Sequence, residues 1–460
     1  MERTRILILF IALVYLSVVL FGPIYRYCDD LRYLAISKTI METGNPAPLA
    51  ESVTGAVFDG PPLFEYFIAA FYWLSDGSIG LWAILSKLFV LTVSLAAVLL
   101  VWRLAKDYGL SEKGQMAAVA LFAFYPPTLF TSTSVMQDML LVLFTLSAFL
   151  VMKKDNLLSF LKAGLLMGLM LLLKVTAPLA VVCIIASALI RFGVSKRNLL
   201  LCAAALAVAS VLWAPWVIRD LQVFGTPVYH HSAEGTYSFY PGSTAFEKVL
   251  YVYVSLWGVP AANSIASAVH FIGGNAIVLE VCLALFFTPL LLIGLKSMLN
   301  RPYHPFIPLI SLGLLFTLVY MSIFVKWPDS RHFIFAMPFF AVIIGGWMES
   351  VKNKRASAYV ALCIIVLLFG GLFIEYSITE NKAKMLDSVG AVLSENAGKE
   401  FVACKSDYEI KWVSSLFFGK DAVMADEYPD CSPVQKGKIR YCLDNNRLFL
   451  FKDATSSSTC

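Results

Sequence analysis

Charge is what this chain has least of: Asp, Glu, Lys and Arg make up 15% of its 460 residues, against 59% hydrophobic residues and a mean hydropathy of +0.75. That balance excludes a water-soluble chain. Histidine is scarce as well, with five residues, and none of the nine cysteines forms a C-x-x-C pair, so no motif argues for a metal. No soluble segment carries a basic stripe interleaved with aromatics, which removes nucleic acid as a partner despite a formal charge of +5. The alternating runs of a membrane barrel are missing. No A-x-A-like cleavage site follows the first apolar run, which therefore reads as an uncleaved anchor.

Long apolar runs are what is there, and since lipid offers the backbone no hydrogen-bond partners, they must be helices. The expected spans are 6–22, 79–102, 115–132, 138–152, 158–173, 177–192, 198–216, 275–295, 306–325, 333–348 and 357–374, about eleven in all. Lys and Arg collect in alternate loops: Arg3 and Arg5; Arg103, Lys106 and Lys113; Lys153, Lys154 and Lys162; Arg191, Lys196 and Arg197; Lys296 and Arg301; Lys352, Lys354 and Arg355. The positive-inside rule makes that side cytoplasmic, with the N-terminus on it and the C-terminus on the far side. The compact loops favour a prokaryotic plasma membrane.

The fold expected is an all-α polytopic membrane domain, residues 1–374, followed by a small extracytoplasmic α/β domain, 375–460. In the tail, 376–396 reads as a helix and 400–404, 438–443 and 446–452 as strands, the last two joined at Asp444-Asn445. Cys404, Cys431, Cys442 and Cys460 lie there, in an oxidising compartment, and one disulfide is expected with its partners open. Cys183, Cys202, Cys282 and Cys363 fall inside spans as small hydrophobes. Two outward loops, 23–78 and 217–274, are longer than connection requires. The aromatic run Phe64-Glu65-Tyr66-Phe67 in the first reads as helix lying in the interface.

Ionisable residues gather on the outward side. They are Asp29, Asp30, Arg32, Asp59, Asp138, Lys174, Arg219, His230, His231, Lys326, Asp329, Arg331 and His332. Acids there can supply a general base and its partner, and cations suit a phosphate at the membrane surface. Together they describe group transfer from a lipid-linked phosphate. Competing readings stand beside several of them: Asp30 as a helix N-terminal charge, Asp138 as a cap, Lys174 as a snorkelling lysine. For His230-His231, acceptor or sugar contacts or plain exposure compete with a metal, since adjacent histidines rarely point at one ion.

The run Asp29-Asp30-Leu31-Arg32-Tyr33 resembles the first-loop motif of the GT-C membrane glycosyltransferases, in the branch of the aminoarabinose transferases and protein O-mannosyltransferases. Further segments agree in order: Asp59-Gly60-Pro61-Pro62, Gln137-Asp138, Gly168-Leu169 through Lys174, Pro215-Trp216-Val217-Ile218-Arg219 with Gly225-Thr226-Pro227, and Arg331-His332 before Pro338. The resemblance implies an inverting glycosyltransferase with a polyprenyl-phosphate monosaccharide donor and a protein, lipid or glycan acceptor. It implies Asp29 as the base on the acceptor hydroxyl, with Asp30 as the alternative base and Asp138 as a further catalytic acid, and Arg32 and Lys174 as ligands of the donor phosphate. Arg219, Lys326 and Arg331 are the further candidates for the donor phosphate, to fill the place of a lysine missing at Gly60, and Tyr33, Asp59, Gln137, Tyr229, His230 and His231 the candidates for the substrates. Gly60 departs from the pattern, standing where many relatives carry a lysine. The cofactor is left open: a divalent cation between carboxylates is the one candidate, without a dedicated cage. A transporter or flippase of lipid-linked glycans is the rival class. It would place ionisable residues in mid-span, where Lys87 is the main candidate.

Overall fold

In a computed structural model of the chain, the residues described are 2–25, 28–44, 60–227, 288, 291–292, 294–296, 334–350, 354–404, 413, 423–425, 434–436, 439–444 and 447–452. The expected span 306–325 and most of 275–295 lie outside them.

Helix α1, Glu2–Phe21, is followed by α2, Cys28–Thr43, and α3, Leu63–Leu74, both within the first long outward loop. At twelve residues α3 is about 18 Å long, too short to cross a bilayer. Helix α4, Ile79–Asp107, is a full span. The expected span 115–132 is instead two helices, α5, Glu112–Phe124, and α6, Pro126–Ser132. The break is at Tyr125, which is extended at φ −59°, ψ 124° because the residue before a proline is driven out of the helical region. Helices α7, Asp138–Val151, α8, Leu157–Leu171, and α9, Ala177–Phe192, follow as expected. Helix α10, Lys196–Phe224, runs past its expected end at 216, through Pro215, and stops at Gly225, whose φ of 72° suits the left-handed C-cap. The second long loop therefore starts later than 217. Helix α11, Met337–Ser350, precedes α12, Lys354–Glu395, in which the last expected span and the tail helix are one element of 42 residues, about 63 Å.

Among the described helices, α1, α4 and α10 are each long and apolar enough to span a membrane. Large hydrophobics are exposed along them, including Leu9, Leu13 and Phe21 on α1 and Leu200, Val211 and Ile218 on α10. Water would not tolerate so much apolar surface, and lipid covers it. This is an integral membrane protein.

Small residues let the helices approach. A Cβ at Gly164 would lie 2.4 Å from the Ala205 carbonyl oxygen, and one at Gly345 2.5 Å from that of Gly114, so α8 meets α10 and α11 meets α5 backbone to backbone. Gly345→Ala is accordingly expected to cost about 1–3 kcal/mol, read as a lower unfolding midpoint in detergent.

The tail strands are β1, Glu400–Cys404, β2, Val423–Ala425, β3, Val434–Lys436, β4, Ile439–Asp444, and β5, Arg447–Lys452. They form one mixed sheet in the order β2-β1-β5-β4-β3. β4 and β5 pair as the expected hairpin, from Ile439 opposite Lys452 to Asp444 opposite Arg447. β1 is parallel to both neighbours. Cys442 is disulfide-bonded. One apolar core runs without interruption from the bundle, with Val90, Phe122 and Phe340, to Val389 of α12 and Leu448 and Leu450 of the sheet.

Candidate active site

The two ends of the bundle differ in how their charges are used. At one end Asp107 pairs with Lys153 and lies 3.9 Å from Arg103, and Arg197 reaches Asp155 at 3.0 Å. Helix starts there are capped by side chains: Ser111 accepts from the Gly114 N–H, Asn156 from Ser159 and Ser195 from Asn198. At the other end α7 and α9 begin at Gln137 and Thr176, whose side chains make no capping bond. Gln137 Oε1, Thr176 Oγ1 and Asp138 Oδ2 are all buried and, among the described residues, have no hydrogen-bond partner. Buried acceptors left open in this way call for a donor.

Asp138 stands at the first position of α7, 1% exposed, and its Oδ1 pairs with Lys174 Nζ from the turn between α8 and α9. It does not serve as a cap, so the capping reading of Asp138 gives way to an ion pair. Lys174 is 11% exposed and paired, so snorkelling does not describe it either. Nearby on α10, Arg219 donates to Asp220 Oδ1 at 2.9 Å and stacks 4.3 Å from the centre of the Trp216 ring. The Asp220 side chain is 2% exposed. Lys174 and Asp220 line one small cleft with Pro61, Trp213 and Trp216. Asp220 and Trp213 are site residues that sequence reasoning passed over. Their signal is spacing: Trp213, Trp216 and Asp220 recur at three and four residues, one face of a helix once α10 continues past 216.

Helix α2 brings the first-loop acids. Asp29 and Asp30 occupy its first turn, where the helix dipole favours carboxylates. Asp30 is fully buried and Asp29 only partly so. Tyr33 is buried edge-on against Phe64 with ring centres 5.1 Å apart, and Ser37 donates to the Tyr33 and Glu65 carbonyls at 2.7 and 2.9 Å. α3 is tied in turn to the Lys174 turn by the Leu63 N–H, which bonds the Leu172 carbonyl at 3.1 Å. Ile36 and Ile40 of α2, Ala69 of α3 and Trp216 of α10 pack into one cluster with Leu172. The acid-bearing helix, the Pro61-Pro62 segment, the Lys174 turn and the end of α10 thus share one end of the bundle. Lys87 is fully buried and donates to the Pro23 carbonyl, just beyond the end of α1.

Asp59, Tyr229, His230, His231, Lys326 and Arg331, with Asp329 and His332, lie outside the described residues. Among the described residues no three His, Cys, Asp or Glu side chains gather as metal ligands.

Residues 59–218 match the family described as dolichyl-phosphate-mannose-protein mannosyltransferase. The fold is similar to that of ArnT from Cupriavidus metallidurans in the apo state, at 14% identity and a TM-score of 0.57, over 92% of this chain and 86% of that one. The same protein bound to undecaprenyl phosphate gives 14% identity and a TM-score of 0.58, over 91% and 85%. The Archaeoglobus fulgidus oligosaccharyltransferase in complex with Zn and sulfate gives 13% and 0.52, over 89% of this chain but 61% of that longer one. Among curated proteins, none matches the chain.

Proposed function

We propose that this protein transfers a sugar from a polyprenyl-phosphate monosaccharide to a protein, lipid or glycan acceptor at the extracytoplasmic face, with inversion at the anomeric carbon. The observation that carries this reading is the convergence of α2, α3, α10 and the α8–α9 turn at the end opposite the basic collar. The positive-inside rule makes that end extracytoplasmic and the basic end cytoplasmic. The division into a membrane domain to residue 374 and a tail domain beyond it belongs to the same reading. The ArnT structure bound to undecaprenyl phosphate adds the donor's chemistry by likeness.

Asp29 is the better base of the two first-loop acids, because it is partly exposed while Asp30 is fully buried. Its carboxylate takes the proton of the acceptor hydroxyl as that oxygen attacks the anomeric carbon. The bond from that carbon to the phosphate oxygen breaks, and the lipid phosphate leaves already ionised, so no general acid is needed. Arg32, Lys174 and Arg219 are the described cations for the developing phosphate charge, with Lys326 and Arg331 as further candidates. Lys174 and Arg219 each carry a built-in counter-charge, Asp138 and Asp220. An ammonium has three donors and a guanidinium five, more than a single carboxylate oxygen takes up.

The test is transfer from radiolabelled polyprenyl-phosphate sugars in membranes. Asp29→Asn is expected to slow transfer by about 10²–10⁴-fold. Wild-type rates in that variant would remove Asp29 as the base. Translocation of lipid-linked glycan without transfer would favour a flippase. Against that rival stands Lys87, the mid-span candidate, which donates to the Pro23 carbonyl just beyond the end of α1.

A further inference from the structure

We infer that the tail is a positioning element for the first-loop acids, acting through a latch between Met385 of α12 and Tyr25. The inference rests on the proposed role of Asp29 and Asp30. Tyr25 precedes Asp29 by four residues, is fully buried, and donates its hydroxyl to Met385 Sδ at 3.8 Å. Met385, Val389, Val392 and Leu393 recur at three and four residues, so they form one face of α12, and all are buried. That face joins the sheet through Phe401, Leu448 and Leu450, and joins the bundle through Tyr25 and Leu31 in the same apolar core.

The geometry gives this contact a purpose that packing alone does not require. α12 is one unbroken helix, fixed at one end in the bundle core and at the other in the tail sheet. It meets the chain at Tyr25, between the end of α1 at Phe21 and the start of α2 at Cys28. A buried aromatic ring wedged there fixes the direction in which α2 starts, and Asp29 and Asp30 lie in the first turn that follows. Tyr25 and Met385 touch no reacting atom. Their effect passes through the orientation of α2.

The test uses the full-length protein in lipid nanodiscs. Hydrogen exchange in Met385→Ala should speed up about tenfold in the first turn of α2, with the α7 and α8 amides unchanged. Turnover of the polyprenyl-phosphate sugar the wild type consumes should lose on the order of 10- to 100-fold in kcat, while the donor KM stays within about twofold. Met385→Leu, which refills the space, should restore both, and Tyr25→Phe should fall between. Unchanged exchange in the first turn of α2 would overturn the latch. So would faster exchange spread evenly over bundle and sheet, the mark of a general loss of stability. Asp29→Asn is the separate control: wild-type turnover there defeats the base assignment, while the exchange data still decide whether the tail orients α2.

Discussion

Lys174→Met is expected to be among the most damaging single substitutions in the membrane domain. Asp138 is 1% exposed and its one described partner is Lys174. Removing the ammonium leaves a buried carboxylate without compensation, a loss of about 3–5 kcal/mol. In detergent the unfolding midpoint should drop by roughly 3–5 °C. Replacing both partners by apolar residues of similar size, as in Asp138→Leu with Lys174→Met, should recover most of that stability, since a buried pair is worth little against good packing. Activity separates structure from chemistry. If Lys174 stabilises the departing phosphate, transfer should remain depressed by about 10²–10³-fold in the recovered double variant. A double variant that regains both stability and transfer would reduce the pair to a tether between α7 and the α8–α9 turn.

The parts of this fold that could be read from sequence are those with unambiguous punctuation. Helix α9 begins and ends where expected, because Thr176 with Pro178 marks its start and Gly193 its end. Strand β1 and the β4–β5 hairpin were legible from their apolar and β-branched runs. Strands β2 and β3 have three residues each, too few for any alternation to register, and gain their place by pairing with β1 and β4. The opposite failure occurs at Tyr125, where continuous hydropathy outweighed a Pro126-Pro127 pair that breaks the helix. In α10 the apolar run ends near Trp216, yet the helix continues through Pro215 and on to Phe224. That continuation hid Asp220, which looked like a loop residue beside Arg219. At the site, residue types were legible and partnerships were not. Nothing in one dimension pairs Asp138 with Lys174, because a contact between residues 36 apart is made by the turn of α8 into α9.

The close approach of α8 and α10 yields the second large effect. Lys174 follows the end of α8, while Trp213, Trp216 and Asp220 sit on α10, so the distance between these helices sets the width of their shared cleft. A methyl group at Gly164 would meet the Ala205 carbonyl oxygen at 2.4 Å and its Cα at 3.0 Å. These are backbone atoms and cannot rotate away, so the helices must part. Gly164→Ala should therefore cost about 1–3 kcal/mol and lower transfer as the cleft widens. Gly168 differs in degree, because a methyl there first meets Leu212 Cδ1, at 2.6 Å, ahead of Leu212 Cβ at 2.9 Å and the Ala209 Cα at 3.2 Å. A leucine end can turn, so Gly168→Ala should be the milder substitution, and Leu212→Ala should relieve it in part. Ala205→Gly should give Gly164→Ala no relief, since the atoms in the way are not in the side chain. Unfolding midpoints for the four single and two double variants, with donor turnover beside them, check the ordering. Rescue of Gly164→Ala by Ala205→Gly would show that α8 and α10 meet through side chains, and that their backbones do not set the cleft.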